Sequence, residues 1–144
     1  MDYLLDSSTC SLLMAHTPNV IAHLDSLSDV NDYVFTCTIV RGEILYGIQR
    51  LPTGHRRQVL ENQAINLFEE LPCLALPKET ADYYATLKSH TEQQGTPMSE
   101  NDLWIAATAM TFNTILVTAD SDFQRISGLG LQVEDCAHVK SLCF

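Results

Sequence analysis

Hydrophobic positions along the chain fall into short continuous runs, separated by longer stretches in which they recur every three or four residues. The runs read as buried strands and the spaced stretches as amphipathic helices. Strands are predicted at Tyr3-Leu4-Leu5, at residues 33–37, at 73–76, at Ile115-Leu116-Val117 and at 131–133. After the first strand, Ser7, Ser8 and Thr9 offer N-caps for a short helix through Leu12, Leu13 and Met14. A second helix starts at Thr17-Pro18 and carries Ile21, Leu24 and Leu27 inward. Thr38 caps a helix in which Val40, Ile44 and Gly47 face the core and Glu43 lies at the margin. Leu51-Pro52-Thr53-Gly54 breaks it. Leu60, Ala64, Leu67, Phe68 and Leu71 mark the next helix, and another runs over residues 79–94 and stops at Gly95. Ser99, with Asp102 three residues on, opens a helix whose Leu103, Ala106, Ala107 and Met110 share a face. Asn113, which tolerates the left-handed conformation, ends it.

Strands alternating with helices specify an α/β domain over residues 1–144, with a mostly parallel sheet of four to five strands covered on both faces. In such sheets, sites form outside the carboxyl ends of the strands. Asp6 ends the first strand, and Asp120 and Asp122 follow the fourth. Asp102 begins the preceding helix, and Glu43 lies in the second turn of the helix after the second strand. Right-handed crossovers bring these acids to one edge. Clustered carboxylates repel and raise one another's pKa, so a fold that gathers them needs a compensating charge. Mg²⁺ suits one or two carboxylates plus waters and phosphates.

Composition narrows the reading. Hydrophobic residues make up 46% of the 144, as in globular domains, and no apolar run spans a membrane. The start of the chain shows no secretory signal pattern. The five cysteines, Cys10, Cys37, Cys73, Cys136 and Cys143, are scattered without a Cys-x-x-Cys pair, which suits buried thiols in a reducing cytoplasm. His16, His23, His55, His90 and His138 lack metal-ligand spacing. A formal charge of −10 argues against a general nucleic-acid binder. The one dense basic group, Arg41, Arg50, His55, Arg56 and Arg57, surrounds the break after the Glu43 helix and is a candidate for phosphate contact.

Four segments carry a resemblance: Leu4-Leu5-Asp6, Gly42-Glu43-Ile44-Leu45-Tyr46-Gly47, Asn101-Asp102-Leu103-Trp104-Ile105-Ala106-Ala107, and Leu116-Val117-Thr118-Ala119-Asp120-Ser121-Asp122-Phe123. In this order they resemble the motifs of PIN-domain ribonucleases, and most of all the VapC-type toxins of bacterial toxin–antitoxin pairs. The resemblance implies a PIN-like three-layer α/β/α fold and an endoribonuclease that hydrolyses RNA with water activated by Mg²⁺ or Mn²⁺. It implies Asp6, Glu43, Asp102 and Asp120 as the catalytic acids, and Asp6, Asp102, Asp120 and Asp122 as metal ligands. Ser7 and Thr118 match supporting polar positions. A cognate antitoxin, a homodimer and a structured RNA substrate such as a tRNA loop are implied as partners. The chain departs from the family in having Cys136 where a tryptophan often follows the last acids.

Other acid-rich folds fit less well. A phosphorelay receiver needs adjacent acids after its first strand, where this chain has Asp6-Ser7. A haloacid-dehalogenase-type phosphatase needs Asp-x-Asp there, whereas Asp120-Ser121-Asp122 comes late. A calcium loop from Asp120 fails at Gln124 and Arg125. The non-enzymatic alternative is an inactive scaffold of the same fold that binds a protein partner.

Overall fold

Tyr3, Leu4 and Leu5 are all buried, and the strand they form stands at the centre of the sheet. The computed structural model describes residues 1–16, 21–22, 25 and 32–136. The strands are β1 (Tyr3–Leu5), β2 (Val34–Cys37), β3 (Cys73–Leu74), β4 (Ile115–Thr118) and β5 (Gln132–Asp135). They form one parallel sheet in the order β3-β2-β1-β4-β5. Leu4 lies between Phe35 on one side and Leu116 on the other, and all three are at most 1% exposed. A run buried on both faces in this way reads as continuous apolar sequence, which is why the strands were visible without alternation.

The chain goes from β1 outward to β2 and β3, then returns to the far side of β1 as β4. The order therefore reverses between β1 and β4, and a crevice opens outside their carboxyl ends. The described helices are α1 (Ser7–Met14), α2 (Thr38–Gln49), α3 (His55–Glu70), α4 (Thr80–Gln93) and α5 (Glu100–Thr111). Helices α1, α2 and α3 pack on one another, and α4 packs on α5, giving the expected α/β/α layering. In α5 the buried set extends beyond the expected stripe to Ile105, Thr108 and Ala109, so this helix is enclosed almost all round. None of the described helices is long and apolar enough to cross a membrane.

Several local expectations hold. Ser99 caps α5 by accepting from the Asp102 amide, Asn113 has a φ of 52° after that helix, and Gly95 has a φ of 70° after α4. Others change. The cap of α1 is Asp6 itself, not Ser7, Ser8 or Thr9. Helix α2 follows β2 without a side-chain cap: Cys37 holds the cap position, and the Thr38 hydroxyl donates to the carbonyl of Leu74 at 3.3 Å. Ile48, not Gly47, completes the inner face of α2 with Val40 and Ile44. A nine-residue 3₁₀ segment, Ser121–Leu129, was not anticipated. The helix expected over residues 17–27 falls almost wholly outside the described residues.

Candidate active site

Asp6 is where β1 hands over to α1. Its amide still donates to the Val117 carbonyl at 3.2 Å, extending the β1–β4 ladder by one residue. Its carboxylate then caps the helix, accepting from the Thr9 amide at 2.9 Å. The Ser8 hydroxyl reaches both carboxylate oxygens, at 2.8 and 2.9 Å, and the Thr118 hydroxyl donates to Oδ2. The side chain is only 3% exposed. Burial pushes its pKa up, and the hydrogen bonds from Thr118, Thr9 and Ser8 pull it back towards the ionised form.

The same hydroxyls join the two strand ends. Thr118 Oγ1 accepts from the Asp120 amide at 2.9 Å, and Ser8 Oγ accepts from the Ala119 amide at 3.0 Å. Thr9 donates to the Val117 carbonyl at 2.8 Å. Asp120 in turn caps the 3₁₀ segment by accepting from the Asp122 amide at 2.9 Å. The turns after β1 and β4 are thus fixed by short polar side chains bonding to backbone.

Two further acids come in on helices. Glu43, half-buried on α2, accepts from the Ser7 hydroxyl at 2.6 Å. Asp102 sits in the first turn of α5, half-buried, with its amide held by Ser99 Oγ at 3.2 Å. The start of α5 is anchored from outside: Lys88 donates to Glu100 at 2.7 Å, and Tyr84 stacks on Trp104 with ring centroids 3.9 Å apart. The Asp102 carboxyl is pushed up to about 6, first by burial and then by the charges of Asp120, Glu43 and Asp6, with the Ser99 hydrogen bond opposing. Asp120, Glu43 and Asp6 thus all lie near enough to Asp102 for their charges to act on it. Asp122 differs in having a cation of its own, Arg125, at 3.3 Å. Among the described residues no three His, Cys, Asp or Glu side chains form a ready-made metal cage. The donors that do converge are hard oxygens, and an open oxygen set suits Mg²⁺, which keeps several of its waters.

The sequence model of the family described as "PIN domain" matches residues 3–129. The chain belongs to the PIN-domain family. Among its relatives, ribonuclease VapC1 of Haemophilus influenzae is 31% identical over 134 residues, covering 92% of this chain and 97% of the relative. Toxin FitB of Neisseria gonorrhoeae is 30% identical, covering 82% of this chain and 87% of its own. The solved structure of VapBC2 from Rickettsia felis, bound to a DNA fragment from their promoter, has a chain that superposes with a TM-score of 0.83. That chain is 26% identical, with 94% of this chain and 98% of the other covered.

In this PIN domain the arginines of the basic group have different surroundings. Arg41 lies over the Phe68 ring at 4.9 Å, and Arg57 is bound to Glu61 at 2.9 Å and to the Leu51 carbonyl at 3.4 Å. Arg56 is exposed in the first turn of α3. Arg50 shares a groove with Glu43. Ser8 and Thr9, which the sequence reading offered only as caps, turn out to organise Asp6. The signal for them was the run of hydroxyl residues directly after an acid at a strand end. Cys10, Cys37 and Cys136 are buried, and burial pushes their thiols up, so they remain neutral packing groups.

Proposed function

We propose that this PIN domain is a divalent-metal-dependent endoribonuclease, the toxin of a toxin–antitoxin pair, with Asp6, Glu43, Asp102 and Asp120 as its catalytic acids. The observation that carries the reading is the placement of Asp6 and Asp120 at the strand ends where the strand order reverses, tied together through Thr118, with Asp102 near enough to feel them and Glu43. The names ribonuclease and toxin borne by its relatives support it. Asp6, Asp102 and Asp120 would hold Mg²⁺ or Mn²⁺, with Asp122 contributing from the margin. When bound, the ion supplies a Lewis acid that lowers the pKa of water and offsets charge on the phosphate.

The chain's own groups have distinct tasks. Ser8, Thr9 and Thr118 hold the Asp6 carboxylate in one orientation. Ser7 occupies Oε1 of Glu43, which leaves Oε2 to take a proton from the attacking water. Leaving of the 3′-oxygen gives 5′-phosphate and 3′-hydroxyl ends. A structured RNA loop, such as that of a tRNA, presents the splayed single strand that such an open crevice can admit.

An apolar groove of about 330 Å³ lies on the α1–α2–α3 side of Glu43, lined by Met14, Ala15, Ile44, Ile48 and Leu60. It suits an amphipathic helix of the antitoxin. An arginine carried beyond that helix could pair with the carboxylates and silence the site. The active form is proposed to be a cytoplasmic homodimer.

End-labelling of cleaved cellular RNA tests the activity. Cleavage that stops in EDTA, returns with Mg²⁺ or Mn²⁺ and leaves 5′-phosphates is expected. Cyclic phosphates formed without metal would overturn the mechanism. A protein that cleaves no RNA and gains no thermal stability from metal would be the inactive scaffold.

A further inference from the structure

Glu43 stands between two grooves, and the second one differs in character from the apolar one. It has a volume of about 570 Å³ and includes Gly42, Glu43, Tyr46, Gly47, Arg50 and Asn101 in its lining. Tyr46 is 64% exposed, the most of any large hydrophobic side chain on this helix. Burial in the core does not explain a tyrosine ring left this open to water beside Glu43.

Its neighbours along α2 define what the ring can receive. Gly42, Tyr46 and Arg50 follow one another at intervals of four residues, so they lie in one stripe on the helix surface. Arg50 places its guanidinium 5.7 Å from the ring centroid. On the other side, a Cβ built on Gly42 or on Gly47 meets no atom within 4 Å. The Arg50 cation therefore lies over the ring on one side, while the helix beside it is bare at Gly42 and Gly47 and most of the ring stays open to water. Glu43 is three residues before Tyr46, one turn away.

We infer that Tyr46 is a stacking platform for an RNA base next to the scissile phosphate, and that Arg50 binds a flanking phosphate. The inference rests on the RNA-cleaving reading given above. Three requirements of single-strand binding meet here: an exposed aromatic face, a cation beside it, and continuity with the catalytic acids. The charge balance strengthens the case. In a chain of net charge −10, an anionic strand needs a local cation, and Arg50, which lies over the platform ring itself, is the arginine that lines the groove in which Glu43 lies. Stacking of this kind is tolerant of base identity, so the platform positions the strand and leaves sequence choice to other contacts.

The test uses an end-labelled random 20-nucleotide RNA pool cleaved in Mg²⁺ by wild type and by Tyr46→Phe, Tyr46→Ala and Arg50→Ala. Tyr46→Phe should keep KM within about twofold, because the ring face remains. Tyr46→Ala should raise KM by about tenfold, with kcat changing far less. Raising salt separates the two residues. Arg50→Ala should make kcat/KM less steeply dependent on salt by about 0.7 in the log–log slope, while Tyr46→Ala leaves the slope unchanged. Independently of turnover, a 4-thiouridine version of the pool irradiated on wild type should label the peptide containing Tyr46, and this label should vanish in Tyr46→Ala. Wild-type KM and an absent label on that peptide would overturn the inference while cleavage by the wild type leaves the ribonuclease reading standing. A wild type inert towards the pool and towards cellular RNA would instead remove the reading beneath it. If Tyr46→Ala changes only the oligomeric state or antitoxin retention on size exclusion, the ring belongs to a protein interface and the inference fails.

Discussion

Replacing Asp102 by asparagine should make the metal-free protein more stable. The Asp102 carboxyl stands at about 6 in the folded protein against an ordinary 3.8, through burial and through Asp120, Glu43 and Asp6. Because the folded-state pKa is the higher one, the folded protein binds more protons than the unfolded chain between those two values. Stability is then lost as pH rises through about 6, and the full penalty is present at neutral pH. Unscreened, the move from 3.8 to about 6 corresponds to roughly 3 kcal/mol. The group is only half-buried, so solvent screening reduces this to about 1.5 kcal/mol. Asparagine also gives up the favourable interaction of a negative charge with the start of α5, about 0.5 kcal/mol. The net gain is about 1 kcal/mol, or roughly 4 °C in Tm for a domain of this length. Circular-dichroism melts in EDTA at pH 7.5 should show it, and the difference should shrink towards zero near pH 4. Added Mg²⁺ should stabilise the wild type and narrow the gap. An asparagine variant that melts below the wild type in EDTA at pH 7.5, or a gap unchanged at pH 4, would refute the claim that burial and the neighbouring carboxylates make the charged Asp102 costly.

The neighbouring acid should behave in the opposite way. Asp6→Ala removes a helix cap and leaves the Thr9 amide and Thr118 hydroxyl without their acceptor, so it should lose about 2 kcal/mol in urea unfolding although it also removes a buried charge. Thr118→Val keeps the shape but breaks the bonds to Asp6 and to the Asp120 amide; a loss of about 1–2 kcal/mol is expected, with cleavage falling at least tenfold. Asp120→Asn should abolish cleavage, whereas Asp122→Asn, whose carboxylate is shared with Arg125, should only weaken it; parallel nuclease assays on matched protein check the pair.

What could be read from the chain was whatever rests on local chemistry. Asp6 and Asp120 follow apolar runs that are buried on both faces, and Ser99 stands before a helix with Asp102 three residues on, so strand ends and the helix start announced three of the four acids. Asn113 and Gly95 announced helix ends by their tolerance of positive φ. What depends on tertiary partners was less legible. Asp6 displaced Ser7, Ser8 and Thr9 as the cap because its own side chain reaches the Thr9 amide, which freed those hydroxyls for Glu43, Asp6 and Val117. Gly47 was assigned to the core by periodicity alone, yet the face of α2 turns so that Ile48 takes that place. The basic group looked dense in sequence but is divided by the packing of Arg41 on Phe68 and of Arg57 on Glu61.

The hydroxyl bonds that join the two strand ends also set a time at which the site can exist. Asp6 and Thr118 lie 112 positions apart, and the Thr9 hydroxyl finds its carbonyl 108 positions downstream. During synthesis, the first acid leaves the ribosome long before the segment that will orient it. Until β4 has emerged and slotted in beside β1, Asp6 lacks the hydroxyl of Thr118, and Asp102 and Asp120 lack a fixed place. Contacts so distant in sequence form late, because the intervening chain must first be ordered. On the proposed reading, a growing copy should therefore leave the RNA around it uncut. Truncation anywhere before Thr118 leaves a chain that holds several of the acids and cannot assemble them.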